Sequence, residues 1–124
     1  MTENTLLLRQ VHPSFIQQGH ITSQIFKPTP KDGKLLSVYD GDQINAEDSW
    51  EHYVNTLHYQ SAGVLAITVS ECHEKGLTAR SEPRLYPEHA VIDYSKCTET
   101  QIKKKAKYLK HYAENRGWLF IKED

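Results

Sequence analysis

Apolar and polar positions along the chain follow two rhythms, and they divide it into short strands and two main helices. Residues 5–11 (TLLLRQV) carry apolar side chains on both faces and predict a first strand, interrupted by Arg9. His12-Pro13 turns the chain. Proline suits the first position of a short helix over Ser14–Gln18, and Gly19 is placed to stop it. Residues 20–27 (HITSQIFK) alternate loosely and predict a half-buried strand. The segment PTPKDGK has no apolar residue and reads as a loop, followed by a short strand over Leu35–Tyr39 and an Asp40-Gly41-Asp42 turn.

Helical spacing begins after Asn45, a good N-cap with Glu47 and Asp48 near the positive end of the helix dipole. Ala46, Trp50, Tyr53, Val54 and Leu57 form the expected buried stripe, with Asp48, His52 and Asn55 on the wet side. Gly63–Val69 predicts a central strand, apolar on both faces. Glu71–Lys75 adds one helical turn before Gly76. Residues 77–87 predict an extended connection and Ala90–Ile92 another strand. Thr98 and Gln101 have capping-box spacing, and Ile102, Ala106, Leu109 and Ala113 share one face of the helix that follows. Gly117 ends it, and Trp118–Ile121 predicts a last strand. This order predicts a single α+β domain over residues 1–124. Its sheet is expected to be mixed or mainly antiparallel, with two main helices packed on it. No regular βαβ repeat or glycine-rich phosphate loop is present, so dinucleotide-fold and P-loop readings fail.

The composition narrows the function classes. The 124 residues hold 15 Lys plus Arg against 16 Asp plus Glu, a net charge of −1 that argues against a dedicated nucleic-acid coat. The longest apolar stretch, Ala62–Val69, falls well short of the ~20 residues that cross a bilayer, so no membrane partner is expected. The N-terminal residues lack the pattern of a secretory signal. Cys72 and Cys97 stand apart without a CxxC motif, which fits reduced thiols and a cytoplasmic location. The seven histidines show no ligand spacing, and no metal site is expected.

Charge is nevertheless divided. Residues 96–116 sum to +5 and residues 1–62 to −3. Lys104 and Lys107 on the basic helix are candidate contacts for phosphate or an acidic partner. A solvated helix face explains the lysines more simply, so nucleic acid is not the expected partner. Arg9 within an apolar strand requires a reason, because a long cation there must find acceptors. His12, Ser23, Ser37, Asp40, Glu88 and His89 stand beside strand ends and turns, where functional side chains are often presented.

Arg9, Tyr39 at the end of a later strand and Glu51 in the helix beyond it lie in an order that resembles the RES-type toxins and the wider ADP-ribosyltransferase-like group. That resemblance implies that Arg9 holds the pyrophosphate of NAD, Tyr39 stacks on nicotinamide and Glu51 acts at the ribose. The segments VHPSFIQQGHITSQIF, LLSVYDG and YPEHAVIDY resemble a group of small bacterial proteins of unknown role. Three function classes follow. The first is a cytosolic protein-binding or accessory module without a cofactor. It is motivated by the charge division and the lack of cofactor, metal or nucleophile motifs. His12, Ser37, Asp40 and His89 are its candidate binding residues. The second is an NAD-consuming enzyme using Arg9, Tyr39 and Glu51. The third is a nucleic-acid binder through Lys104 and Lys107.

Overall fold

The predicted apolar runs pair edge to edge into one antiparallel sheet. In the computed structural model, which describes residues 1–123, six strands lie in the order β6-β7-β4-β1-β5-β8. They are β1 (Leu6–Gln10), β4 (Leu35–Asp40), β5 (Gly63–Thr68), β6 (Thr78–Ser81), β7 (His89–Asp93) and β8 (Phe120–Ile121). A separate two-stranded ribbon joins β2 (Ile16–Gln17) to β3 (His20–Ile21). The helices are α1 (Ala46–Glu51), α2 (Val69–Glu74) and α3 (Glu99–Arg116). The fold is α+β, as the sequence predicts, with every strand pair antiparallel. Among the described residues no helix is long and apolar enough to cross a membrane.

Helices cover both faces of the sheet, because both faces are apolar. Leu7, Leu36, Val38, Leu65, Ile67, Ala90 and Ile92 pack in one cluster with Ile102, Ala106, Leu109 and Ala113 of α3. The reciprocal capping box of Thr98 and Gln101 starts that helix. On the opposite face, Leu8, Tyr39, Val64 and Ala66 meet Ala46, Trp50 and Tyr53. Gln10 is buried on this face. It donates to Ser49 Oγ at 3.0 Å and accepts from Ser61 Oγ at 2.8 Å, which fixes α1 against β1. Cys72 and Cys97 are buried free thiols.

Four local expectations are corrected. Ser14–Gln18 is not a helix. A 3₁₀ turn over Pro13–Phe15 leads into β2, and Gln18 and Gly19 both take positive φ (52° and 78°) as a two-residue hairpin turn. Residues 20–27 are a strand only at His20–Ile21. A 3₁₀ turn over Ser23–Phe26 then sends the consecutive Ile25 and Phe26 into the same core cluster, whereas a strand would point them to opposite faces. The connection over 77–87 contains edge strand β6, whose polar sequence suits its exposed position. Finally, α1 passes into a π turn over His52–Thr56. His52, expected on the wet face, still has α geometry and follows buried Ser49 by three residues, so helical spacing itself turns it toward Tyr39 of the sheet.

The sheet opens in its middle. β1 pairs with β5 along its whole length, from Leu6–Thr68 to Gln10–Val64. Against β4 it pairs only at Leu7–Asp40 and Leu8–Tyr39. Beyond Leu8 the strands splay, while β4 continues to pair with β7. Arg9 lies at the fork.

Candidate functional site

The splay between β1 and β4 exposes backbone groups that a sheet would normally satisfy, and Arg9 takes over part of that task. Its Nε donates to the Ile25 carbonyl at 2.7 Å and its Nη1 to the Ser37 carbonyl at 3.0 Å. The guanidinium thus bridges the 3₁₀ turn to β4 across the gap. Phe15 lies beside it, 5.7 Å from ring centre to Cζ. Among the described residues no ion pair includes Arg9. Burial lowers its pKa from the usual value, yet a guanidinium stays charged in proteins. Its remaining N–H groups meet no protein acceptor among the described residues.

Above the fork is a cleft of about 470 Å³, within the usual size range of small-molecule sites. β1 supplies Leu8, Arg9 and Gln10 to its lining, β4 supplies Ser37, Val38 and Tyr39, and β7 supplies His89. Tyr53, Leu57, Tyr59, Leu85, Tyr86 and Asp32 complete the lining. Tyr86 is the centre of an aromatic group. Its ring lies 5.2 Å from Tyr39, 4.7 Å from His52 and 5.1 Å from His89. Tyr53 and Tyr59 form a second pair at 5.1 Å. Burial raises the pKa of Tyr39, of Tyr53 and of Tyr86, the last to about 12. All three therefore keep their phenolic protons at neutral pH. The Tyr39 hydroxyl is 2.8 Å from His52 Nδ1, at the C-terminal end of α1.

The tautomer of His89 follows from its neighbours. Its Nδ1 is 2.7 Å from the Glu82 carbonyl oxygen, which only accepts, so Nδ1 carries a proton. In the neutral ring, Nε2 is then an acceptor, and Ser37 Oγ, 3.1 Å away, donates to it. β4 and β7 set this geometry. Ser37 pairs with Val91 and Tyr39 with His89, so Ser37 and His89 are diagonal neighbours on one sheet face.

The sequence-predicted residues divide by location. Arg9, Ser37, Tyr39 and His89 line the one cleft. Glu51 does not line it. It is exposed on α1 and accepts from Asn55 Nδ2. His12 caps the 3₁₀ turn by accepting from the Ser14 N–H at 3.0 Å. Asp40 closes its own turn, accepting from the Asp42 N–H and from Gln43 Nε2 at 2.9 Å each. Lys104 and Lys107 do not line the cleft; they line a separate groove along α3 with Ser23 and Glu99. Sequence reasoning missed Tyr53, Tyr59, Tyr86 and His52. The one available signal was seven tyrosines in 124 residues. No group of three or more His, Cys, Asp or Glu among the described residues is arranged to hold a metal ion. No family model, curated protein or solved structure matches the chain.

Proposed function

We propose that the chain is a binding module whose cleft takes a small acid, a carboxylate or phosphate carrying a flat ring. The observation that carries this reading is Arg9. A half-buried cation is held by two carbonyls, with no carboxylate paired to it among the described residues, and it borders a cleft lined by four tyrosines. An arriving anion supplies the missing charge and takes the spare N–H groups, the strongest kind of hydrogen bond available to it. Tyr53, Tyr59 and Tyr86 offer ring faces and edges for the flat part. Neutral phenols also avoid repelling the acid, as tyrosinates would.

Two other readings meet this geometry differently. An NAD-consuming enzyme built on Arg9, Tyr39 and Glu51 has two of its three residues in the cleft, and Asp32 rather than Glu51 is the carboxylate in its lining. A protein-docking module is favoured by Leu85 and Tyr59, which are 74% and 57% exposed and flank the cleft. An acidic side chain of a partner would then meet the same guanidinium. Titration with 1-naphthoate, followed by tyrosine fluorescence and calorimetry, tests the small-acid reading. Saturable one-to-one binding is expected, lost in Arg9→Met and retained in Lys104→Ala/Lys107→Ala. Equal affinity for neutral 1-naphthamide, or binding lost only in the lysine variant, would overturn it.

A further inference from the structure

The Arg9 cleft contains a nucleophile–base pair that a binding role alone does not use. Ser37 is exposed and lines the cleft, and its hydroxyl donates to His89 Nε2 at 3.1 Å. His89 is 4% exposed, and its ring is fixed from behind by the Nδ1–H bond to the Glu82 carbonyl. Nucleophile, base and orienting group are therefore in line, with the base already in the accepting tautomer. We propose that the cleft is a serine esterase site, with Ser37 as nucleophile and His89 as general base, acting on esters that carry an acidic group. This rests on the small-acid reading of the cleft, since Arg9 is what would hold the acid.

The step balances without any further cofactor. Ser37 Oγ bonds to the ester carbonyl carbon, and its proton passes to His89 Nε2. The carbonyl re-forms as the C–O bond to the alcohol breaks, and His89 returns the proton to the departing oxygen. Solvent water then repeats the sequence on the acyl-serine, and hydrolysis releases the acid and restores Ser37. Arg9 is a positioning group in this scheme. Its bond to the Ser37 carbonyl ties the strand bearing the nucleophile to the acid-binding end of the cleft.

The mono-4-nitrophenyl ester of adipic acid, with 4-nitrophenyl butyrate as neutral comparator, tests the assignment. The wild-type protein is expected to release nitrophenol with preference for the acidic ester. Ser37→Ala and His89→Gln are expected to lower the rate by about 100-fold or more, the usual contribution of such groups. A fluorophosphonate should add one equivalent to the wild type, on Ser37 by peptide mass, and none to Ser37→Ala. Cooperative thermal unfolding of each variant checks that it is folded. Intact binding of 1-naphthoate with neither turnover nor adduct would overturn the esterase assignment and leave the small-acid reading standing. Failure of naphthoate binding together with turnover would remove both. Turnover and labelling unchanged in Ser37→Ala would assign the chemistry elsewhere and overturn the proposal.

Discussion

Replacing Arg9 by methionine keeps the length of the side chain and removes its charge and every donor. The structure sets the expected cost. Two charge-assisted bonds are lost, to Ile25 and Ser37 carbonyls at 2.7 and 3.0 Å, each worth roughly 1.5–3 kcal/mol. Against that, the guanidinium no longer has to be desolvated, which offsets several kcal/mol of the loss. Ser37 is exposed, so water can reach its freed carbonyl. Ile25 is fully buried, so its carbonyl is left without a partner at a cost of about 1–3 kcal/mol. The net destabilisation is therefore expected to be about 1–3 kcal/mol. Urea unfolding with an unchanged m-value would read it as a lower midpoint. Adding 1-naphthoate at 100 times its dissociation constant should stabilise the wild type by a further ~2.7 kcal/mol and leave Arg9→Met unmoved. A variant as stable as the wild type without ligand would show that the guanidinium does not satisfy the Ile25 carbonyl, and the account of the sheet opening would fail.

Other outcomes follow from the core and its margins. Leu109→Ala, in the buried stripe of α3, should cost about 2–5 kcal/mol by denaturant titration. A loss under 1 kcal/mol would place that helix face in solvent. Bonds from Ser95, then the Arg80 guanidinium at 2.7 Å, hold the Asp93 carboxyl down at about 2. A depressed carboxyl stabilises the fold above its unfolded pKa and loses that contribution as pH falls through the folded one. Asp93→Asn should thus cost about 1 kcal/mol at pH 5–7, a screened value for a partly exposed pair. The difference from wild type should shrink from pH 4 and vanish below pH 2. Burial pushes the Cys72 thiol up to about 12. It should resist iodoacetamide at pH 8 in the folded protein and react readily in urea, as read by peptide mass.

What the sequence revealed depended on whether local and long-range forces agreed. The capping box at Thr98 and the apolar spacing of Ile102 to Ala113 say the same thing, and α3 forms where they place it. The apolar run at Gly63–Thr68 likewise becomes an interior strand. Agreement failed where one residue type serves two geometries. Gly19 suits a helix stop and a hairpin turn equally, and only the pairing of Ile16 with Ile21 decides between them. The apolar stripe puts His52 on the wet side because it leaves out Ser49, a polar residue that is buried and that His52 follows by three positions. Edge strand β6 is too polar to announce itself. Part of the cleft was legible, because Arg9 within an apolar strand, the polar Ser37 inside β4, and Tyr39 and His89 near strand ends are local anomalies. Tyr53, Tyr59 and Tyr86 were not, since each looks like ordinary core or loop until the splay of β1 from β4 brings them to one cavity.

Binding of an anion by the Arg9 guanidinium in the opened sheet is what the proposed function requires. Side-chain nitrogen resonances of the arginines, followed by ¹⁵N NMR during titration with 1-naphthoate, test it most directly. The account predicts that the Arg9 Nε and Nη signals shift saturably while those of the exposed Arg84 stay in place. Shifts confined to Arg84 and the other exposed arginines, with Arg9 unmoved at saturation, would contradict it.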